Sequence, residues 1–145
     1  MIRLLNENDK KEFINMSSVF YSMPCCDHNI PTDHFESTFE YCTKENQNDY
    51  RVFIIEDNNK IVGYTSISIS YSTEAGGKVV LIDEIFIKPE YQGKGYGHQV
   101  FDYIFKNYPA KRYRLECTPS NTRVIELYEK LGFTKLDYVQ LIMDK

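Results

Sequence analysis

Residues 85–97, IFIKPEYQGKGYG, join an apolar run typical of a buried strand to a helix through a turn with three alternating glycines. A helix that opens directly from such a turn has unpaired backbone N–H groups and the positive end of the helix dipole. Glycine lets the backbone come close to a bound phosphate because no Cβ intervenes. The stretch therefore predicts a pyrophosphate-binding turn between a strand and a helix.

Two other phosphate-binding patterns do not fit this turn. GxxxxGK[ST] is absent, and the glycine spacing is GxGxG rather than GxGxxG. Glu116 ends the next predicted strand, where a dinucleotide-binding fold places its ribose-binding acid, but fewer than fifty residues follow Gly97 to build that fold. A turn with a purely structural role is the remaining alternative.

The hydrophobic pattern of the whole chain predicts the order βααβββαβαββ, with helices on both faces of a mixed sheet. Gly63 indicates a bulge near the start of the third strand. The predicted strands are 2–5, 50–56, 60–72, 79–88, 113–117, 133–136 and 139–143. The predicted helices run from a cap at Asn6 or Asn8 to about Tyr21, from Thr32 through Cys42, over 95–107 and over 122–131.

Size and composition predict one globular domain, residues 1–145, because 42% of the chain is hydrophobic and 26% is charged. No apolar run is long enough to span a bilayer, and the N-terminus does not resemble a signal peptide. The cysteines form neither a CxxC pair nor a disulfide spacing, so we expect a cytoplasmic protein. A metal site at Cys25, Cys26, His28 and His34 is conceivable, but ordinary loop and helix residues explain them better, so we expect no metal.

Charge is distributed unevenly along the chain. Residues 27–59 carry eight acids and two bases, a balance of −6, whereas residues 85–145 carry seven acids and ten bases, a balance of +3. The first region suits a cationic substrate and the second an anionic cofactor, although two solvated faces explain the pattern equally well. No basic stripe interleaved with aromatics is present, so nucleic acid is not an expected partner.

Two motifs carry a family resemblance. Ile87-x-Pro89 followed by Gln92-x-x-Gly95-x-Gly97 matches, position by position, a signature in which a strand ending V-x-P precedes [RQ]-x-x-G-x-[GA]. Residues 116–121, ECTPSN, and 127–133, LYEKLGF, look like the second motif of the same family. The chain thus resembles the GNAT superfamily of N-acetyltransferases, and the element order agrees over the whole chain.

The resemblance implies an α/β (α+β) fold with a mixed, mostly antiparallel sheet of six to seven strands, and acetyl-CoA as the co-substrate. In the family, the strand before the glycine turn lies along the pantetheine and splays from the next strand, and the thioester lies in the gap. The cofactor-binding residues implied in this way are Ile85, Phe86, Ile87, Gln92, Gly93, Lys94, Gly95, Tyr96, Gly97, Asn121 and Tyr128.

The resemblance also implies catalytic roles, each with a simpler alternative. Tyr128 would protonate the departing thiolate, although it also fits the apolar stripe of its helix, and Asn121 also fits a helix cap. The base is Glu84 or Glu116, with Glu84 preferred. Asp83 is a supporting residue, because strand alternation predicts that its side chain and that of Glu84 lie on opposite faces.

The acceptor site is the least patterned part of the chain. Location and polarity single out Tyr21, Asp27, Tyr71 and Glu74, with Asp83, as substrate-binding residues. We expect transfer of an acetyl group to a primary amine of a small cationic molecule by direct attack. The alternatives are a protein N-terminal or lysine acetyltransferase and a catalytically idle CoA-binding sensor. The expected partner is a small amine rather than a membrane, and a homodimer is left open.

Overall fold

The computed structural model describes residues 1–24, 26, 29–44 and 48–145. The strands are β1 (Ile2–Leu4), β2 (Tyr50–Asp57), β3 (Lys60–Ser72), β4 (Gly77–Ile87) and β5 (Arg112–Leu115). The helices are α1 (Lys10–Tyr21), α2 (Thr32–Lys44), α3 (Tyr96–Asn107) and α4 (Thr122–Lys130), with short 3-10 turns at Glu7–Asp9 and Pro89–Tyr91. Asn6 caps the first of these turns, as its residue type predicts.

Within the described ranges the five strands form one sheet in the order β1-β2-β3-β4-β5. Pairing is antiparallel from β1 through β4, whereas β5 pairs with β4 in parallel. Parallel neighbours need a crossover connection, and α3 supplies it between β4 and β5. None of the helices in the described ranges has both the length and the apolar character needed to cross a bilayer.

Apolar cores cover both faces of the sheet, because side chains alternate along each strand. One face packs against α3 and α4. Its fully buried residues include Phe53, Ile55, Val62, Ile67, Val80, Val100 and Ile104. The other face packs against α1 and α2 through Phe13, Met16, Phe39, Val52, Ile54, Tyr64 and Phe86. The predicted placement of helices on both faces is therefore confirmed.

The two strands predicted at the C-terminal end, Phe133–Leu136 and Val139–Met143, are not present, so the expected six to seven strands reduce to five in the described residues. The two segments have the alternating pattern of a strand, but no neighbouring strand lies beside them. A strand forms only where its backbone hydrogen-bonds to another strand. Val139 and Leu141 are 88% and 90% exposed. Side chains of the segment contact the β3–β4 hairpin and the residue after β5, with Tyr138 donating to Glu74 and Gln140 to Glu116.

Two irregularities interrupt the ladders of β3. Ile55 pairs with Gly63 and Glu56 pairs with Ile61, so Val62 is an extra residue, which confirms the predicted bulge. Gly63 is required there, since a Cβ at this position would lie 2.1 Å from the carbonyl oxygen of Phe86. A second shift, not predicted from the sequence, lies further along β3 and determines the geometry of the candidate site.

Candidate active site

The glycine turn begins where β4 ends. The side-chain amide of Gln92 donates to the carbonyl oxygen of Ile87 at 3.0 Å, which ties the turn back to the end of the strand. Gly93 and Gly95 have φ angles of 75° and 86°, in the left-handed region that favours glycine. Gly95 precedes α3 without a side-chain cap. The backbone therefore reverses tightly and starts a helix whose first N–H groups have no intrahelical acceptor.

The space in front of this helix start is open. A Cβ placed on Gly93, Gly95 or Gly97 would meet no other atom within 4 Å. Tyr96 holds the start of α3 in place, because its hydroxyl donates to Asp57 in the β2–β3 turn at 2.9 Å. Unpaired amides, a positive helix end and an unobstructed surface together fit a phosphate group.

A slot opens beside this turn because β4 and β5 separate. Their parallel pairing runs from Val79 opposite Arg112 to Ile82 opposite Leu115 and then stops. The strand predicted over Tyr113–Cys117 therefore ends at Leu115, because β4 no longer lies alongside it. Residues 83–87 of β4 lack a strand partner on that side, as a pantetheine lying along Ile85, Phe86 and Ile87 would require.

A bulge lies where the two strands separate. On β3, Ser66 pairs with Glu84 and the next residue, Ile67, pairs with Ile82, so Asp83 is an extra residue on β4. The prediction that Asp83 and Glu84 lie on opposite faces is wrong, because a bulge breaks the strict alternation of a strand. Asp83 accepts a hydrogen bond from Ser68, and Glu84 accepts one from Tyr21, which places both carboxylates on the face covered by α1 and α2.

Glu84 lies half-buried among tyrosines. The hydroxyl of Tyr21 donates to its Oε1 at 2.5 Å, and the ring of Tyr21 stacks on Phe35 at 5.7 Å between centroids. Loss of water contact raises the pKa of Glu84, the hydroxyls of Tyr21 and Tyr64 oppose that rise, and the charge of Asp83 adds to it. A carboxylate with a raised pKa is suited to accept a proton near neutral pH.

The other two acids lie beside the same gap. Loss of water contact raises the pKa of Asp83, Ser68 opposes that rise, and the charge of Glu116 contributes to it. Glu116 is exposed and accepts a hydrogen bond from Gln140 at 2.9 Å. The structure thus brings Glu84, Asp83 and Glu116 to one place, at the end of the β4–β5 pairing.

The α4 residues of the predicted site belong to the other face. Tyr128 is half-buried, and its ring packs edge-on against Phe101 and Phe133, with centroids 5.9 and 6.1 Å away. Asn121 occupies the N-cap position of α4, as its residue type predicts, but its side chain makes no capping hydrogen bond.

The predicted acceptor-binding residues separate into two places. Tyr21 contacts Glu84 directly, whereas Tyr71 and Glu74 lie at the β3–β4 hairpin, at the opposite end of β4 from the glycine turn. Tyr71 is 77% exposed, and Glu74 accepts hydrogen bonds from Arg112 and Tyr138. Asp27 lies outside the described residues, as do Cys25 and His28 of the rejected metal hypothesis.

Sequence reasoning missed three hydroxyl-bearing neighbours of Glu84. Tyr50 and Tyr64 both have pKa values raised by loss of water contact and by the charge of Glu84. Ser66 lies directly opposite Glu84 in the β3–β4 ladder and is fully buried. The sequence contained one signal for these neighbours. Serines alternate along β3, and the strand that pairs with β3 carries two acids.

Comparison with known proteins agrees with the fold. A family model described as the acetyltransferase (GNAT) family matches residues 16–133, which is most of the chain. The chain belongs to the GNAT acetyltransferase family. The resemblance inferred from the glycine turn and the second motif is therefore confirmed.

Curated GNAT relatives match over part of their length. The thialysine N-epsilon-acetyltransferase of Bos taurus is 33% identical over 75 residues, which cover 50% of this chain and 44% of that protein. An uncharacterised N-acetyltransferase of Methanocaldococcus jannaschii is 29% identical over 107 residues, 70% of this chain and 46% of that protein. The matches thus span less than half the length of these relatives.

Solved structures share the GNAT fold over the whole chain. AAC(6')-Iy in complex with the bisubstrate analogue CoA-S-monomethyl-acetylneamine has a TM-score of 0.79 at 18% identity, covering 100% of this chain and 97% of that one. A possible acetyltransferase from Clostridium difficile 630 has a TM-score of 0.81 at 17% identity, with the same coverage. These likenesses confirm the predicted α/β fold class.

A substitution at Gly97 tests whether the turn binds phosphate or has only a structural role. Gly97→Ala should raise the free energy of unfolding by up to about 1 kcal/mol, because alanine is the better helix former. It should also weaken CoA binding measured by calorimetry, since the new methyl group occupies the open space before α3. Gly76→Ala is the control: Gly76 has a φ of 72° in a turn outside the site, so this variant should lose stability and keep its CoA affinity. Undiminished affinity in Gly97→Ala would contradict a phosphate contact there.

Proposed function

We propose that this protein is an acetyl-CoA-dependent N-acetyltransferase that acts on a primary amine of a small cationic molecule. The observation that carries the proposal is the position of Glu84, a proton acceptor of raised pKa at the bulge where β4 leaves β5. The gap that begins there continues along β4 to the glycine turn. The base thus lies beside a slot that ends at a candidate phosphate-binding turn. This arrangement suits acyl transfer from a long thioester that carries phosphate groups.

Acetyl-CoA would be held by backbone groups for most of its length. The amides of residues 92–97 suit its pyrophosphate, and the unpaired edge of Ile85, Phe86 and Ile87 suits the amides of its pantetheine. Asn121 and Tyr128 are the proposed contacts from the segment after β5. When bound, the cofactor supplies an activated acetyl group as a thioester.

Glu84 is the proposed base. An amine is an ammonium ion near neutral pH and must lose a proton before its nitrogen can attack, and a positioned carboxylate contributes typically 10²–10⁴ to such a step. The nitrogen then forms a bond to the acetyl carbon as the bond from that carbon to sulfur breaks. Glu116 is the weaker candidate, because its side chain is exposed and already accepts a hydrogen bond from Gln140.

Tyr128 is the proposed acid for the leaving group. Its ring is fixed by packing between Phe101 and Phe133, so the hydroxyl would have a defined position on α4. Two protons leave the nitrogen during the reaction. One proton passes to Glu84 and then to solvent. The other is matched by the proton that Tyr128 gives to the thiolate, so the reaction releases one proton overall.

The acceptor class is supported by charge and by the names of relatives. Acids outnumber bases strongly in residues 27–59, and Asp83 and Glu116 lie beside Glu84. The relatives named above are a thialysine acetyltransferase and a structure bound to an acetylneamine conjugate of CoA. These features favour a small cationic amine over a protein N-terminus. We also propose a cytoplasmic location, with which the free thiols of Cys42 and Cys117 are compatible.

Glu84→Gln tests the base with the shape of the side chain preserved. The variant should lose about 10²–10⁴ in kcat/KM at neutral pH and recover part of it at high pH, where more of the amine is already neutral. The pKa of Glu84 is raised on folding, so its ionisation lowers stability as pH rises above the ordinary carboxyl range. The melting temperature of Glu84→Gln at pH 7 should therefore equal or exceed that of the parent, which separates lost chemistry from unfolding.

Glu116→Gln is the matched control for the base, with the same change of charge beside the same gap. It should keep the parent's pH profile for kcat. If Glu116→Gln shows the profile expected for Glu84→Gln, the base is Glu116. If no amine gives thiol release with either variant or with the parent while CoA still binds, the chain is a CoA-binding module and not an acetyltransferase.

Tyr128→Phe tests the acid. The variant should lower kcat by roughly 10- to 1,000-fold with little change in acetyl-CoA affinity, because only assistance in the transition state is removed. Phenylalanine keeps the edge-on packing against Phe101 and Phe133, so the fold should be preserved. Equal turnover in the variant and the parent would leave Tyr128 with a packing role alone.

A further inference from the structure

The hydroxyl of Tyr21 joins the end of α1 to the bulged part of β4. Tyr21 is the last residue of α1, and its hydroxyl donates to Oε1 of Glu84 at 2.5 Å, across 63 positions of the chain. A hydrogen bond to a carboxylate is stronger than one between neutral groups, because the acceptor is charged. This contact therefore restrains one of the two oxygens of the proposed base.

Aromatic neighbours hold the ring of Tyr21 in place. The ring stacks on Phe35 of α2, with centroids 5.7 Å apart and an angle of 23° between the planes. It also meets the ring of Phe20 edge-on, at 5.0 Å between centroids. Phe35 is itself buried, so the stacking surface is fixed. The hydroxyl of Tyr21 consequently has a defined position relative to both helices.

The main chain of Glu84 is fixed as well. Oγ1 of Thr65, a fully buried residue of β3, donates to the carbonyl oxygen of Glu84 at 2.8 Å. A bulge disrupts the regular ladder at this point, and the hydrogen bond from Thr65 adds a tie between the two strands. Glu84 is thus held at its backbone from β3 and at Oε1 from α1.

Tyr21 is suited to act as a permanent donor. Loss of water contact raises the pKa of its hydroxyl, and the charge of Glu84 raises it further. The hydroxyl therefore keeps its proton over the pH range in which a carboxylate titrates. Within the described residues, the other titratable groups that face Glu84 are Tyr64 of β3, Tyr50 of β2, Cys42 of α2 and Asp83 of β4.

We propose that Tyr21 is a positioning residue for the base: it holds Oε1 of Glu84 and leaves Oε2 to accept the proton of the attacking amine. The proposal rests on the acetyltransferase function proposed above. It gives Tyr21 a role that acts through Glu84, in place of the direct substrate contact expected from the sequence. Because Phe35 belongs to α2, the packing of α1 on α2 then sets the position of the base.

Tyr21→Phe tests this role, since it removes the hydroxyl and keeps the ring that packs on Phe35. Carboxyl ¹³C NMR of protein labelled at glutamate follows the ionisation directly, and the signal of Glu84 is the one missing from Glu84→Gln. A donated hydrogen bond favours the charged carboxylate, so Glu84 should titrate at higher pH in Tyr21→Phe than in the parent.

Tyr41→Phe is the matched control for the titration. Tyr41 lies on α2, and its hydroxyl donates to the carboxylate of Asp49 at 3.0 and 3.2 Å. The substitution thus removes a hydroxyl from a different carboxylate. The titration of Glu84 should be the same in Tyr41→Phe as in the parent.

Kinetics distinguish positioning of the base from contact with the acceptor. For butylamine, or another primary amine that the parent acetylates, Tyr21→Phe should lower kcat/KM about tenfold at neutral pH, the value of one hydrogen bond to a charged group. The loss should shrink as pH rises and Glu84 ionises. In protein that already carries Glu84→Gln, the same change should have almost no effect, because Tyr21 acts through the carboxylate.

Two results would overturn the positioning role while the acetyltransferase function stands. One is an unchanged titration of Glu84 in Tyr21→Phe. The other is an equal loss of kcat/KM from Tyr21→Phe with and without Glu84→Gln, which is the pattern of a direct contact with the acceptor. Absence of thiol release with every amine, in protein that binds CoA, would overturn the acetyltransferase function and with it this inference.

Discussion

The bulge at Asp83 is the constraint on which the candidate site depends. One extra residue on β4 changes the pairing with β3, from Glu84 opposite Ser66 to Ile82 opposite Ile67. Both carboxylates then contact the face covered by α1 and α2, where strict alternation would have turned one of them away. The same point of the strand is where pairing with β5 stops, so the bulge and the opening of the slot coincide.

The environment of Glu84 follows from this placement. A carboxylate on a strand interior that pairs on both sides would be buried at high cost, whereas here it lies half-buried beside an open gap. Tyr21 reaches it from the last residue of α1, and Tyr64 reaches it from β3. Burial raises the pKa and the hydroxyls limit the rise, which leaves an ionisable group able to exchange a proton rather than a fixed charge.

Local features of this structure could be predicted from the sequence, and features that depend on pairing could not. The glycine turn was predictable because its backbone angles and its helix start are encoded within residues 93–97. The bulge at Asp83 depends on how β3 and β4 align, and no residue type in either strand marks it as Gly63 marks the other bulge. The two C-terminal strands were predicted from an alternating pattern. Such a pattern indicates strand propensity, but it does not show whether a neighbouring strand is available for pairing.

The residues of the candidate site also fall into those that the sequence could predict and those that it could not. Glu84 and Glu116 could be singled out because acids stand out in apolar strands, but their convergence with Asp83 required the register. Tyr50, Tyr64 and Ser66 are ordinary strand residues until the ladder places them beside Glu84. The sequence could place Asn121 at the start of α4, but only the structure shows that its side chain makes no capping hydrogen bond.

A crystal structure of the protein with CoA tests the central claim most directly. We expect the pyrophosphate to accept hydrogen bonds from backbone amides of residues 92–97, with the pantetheine along residues 85–87 in the gap between β4 and β5. The thiol should then end near the bulge, on the side of Glu84. CoA bound elsewhere, or a gap closed by continued pairing of β4 with β5 beyond Ile82, would contradict the account.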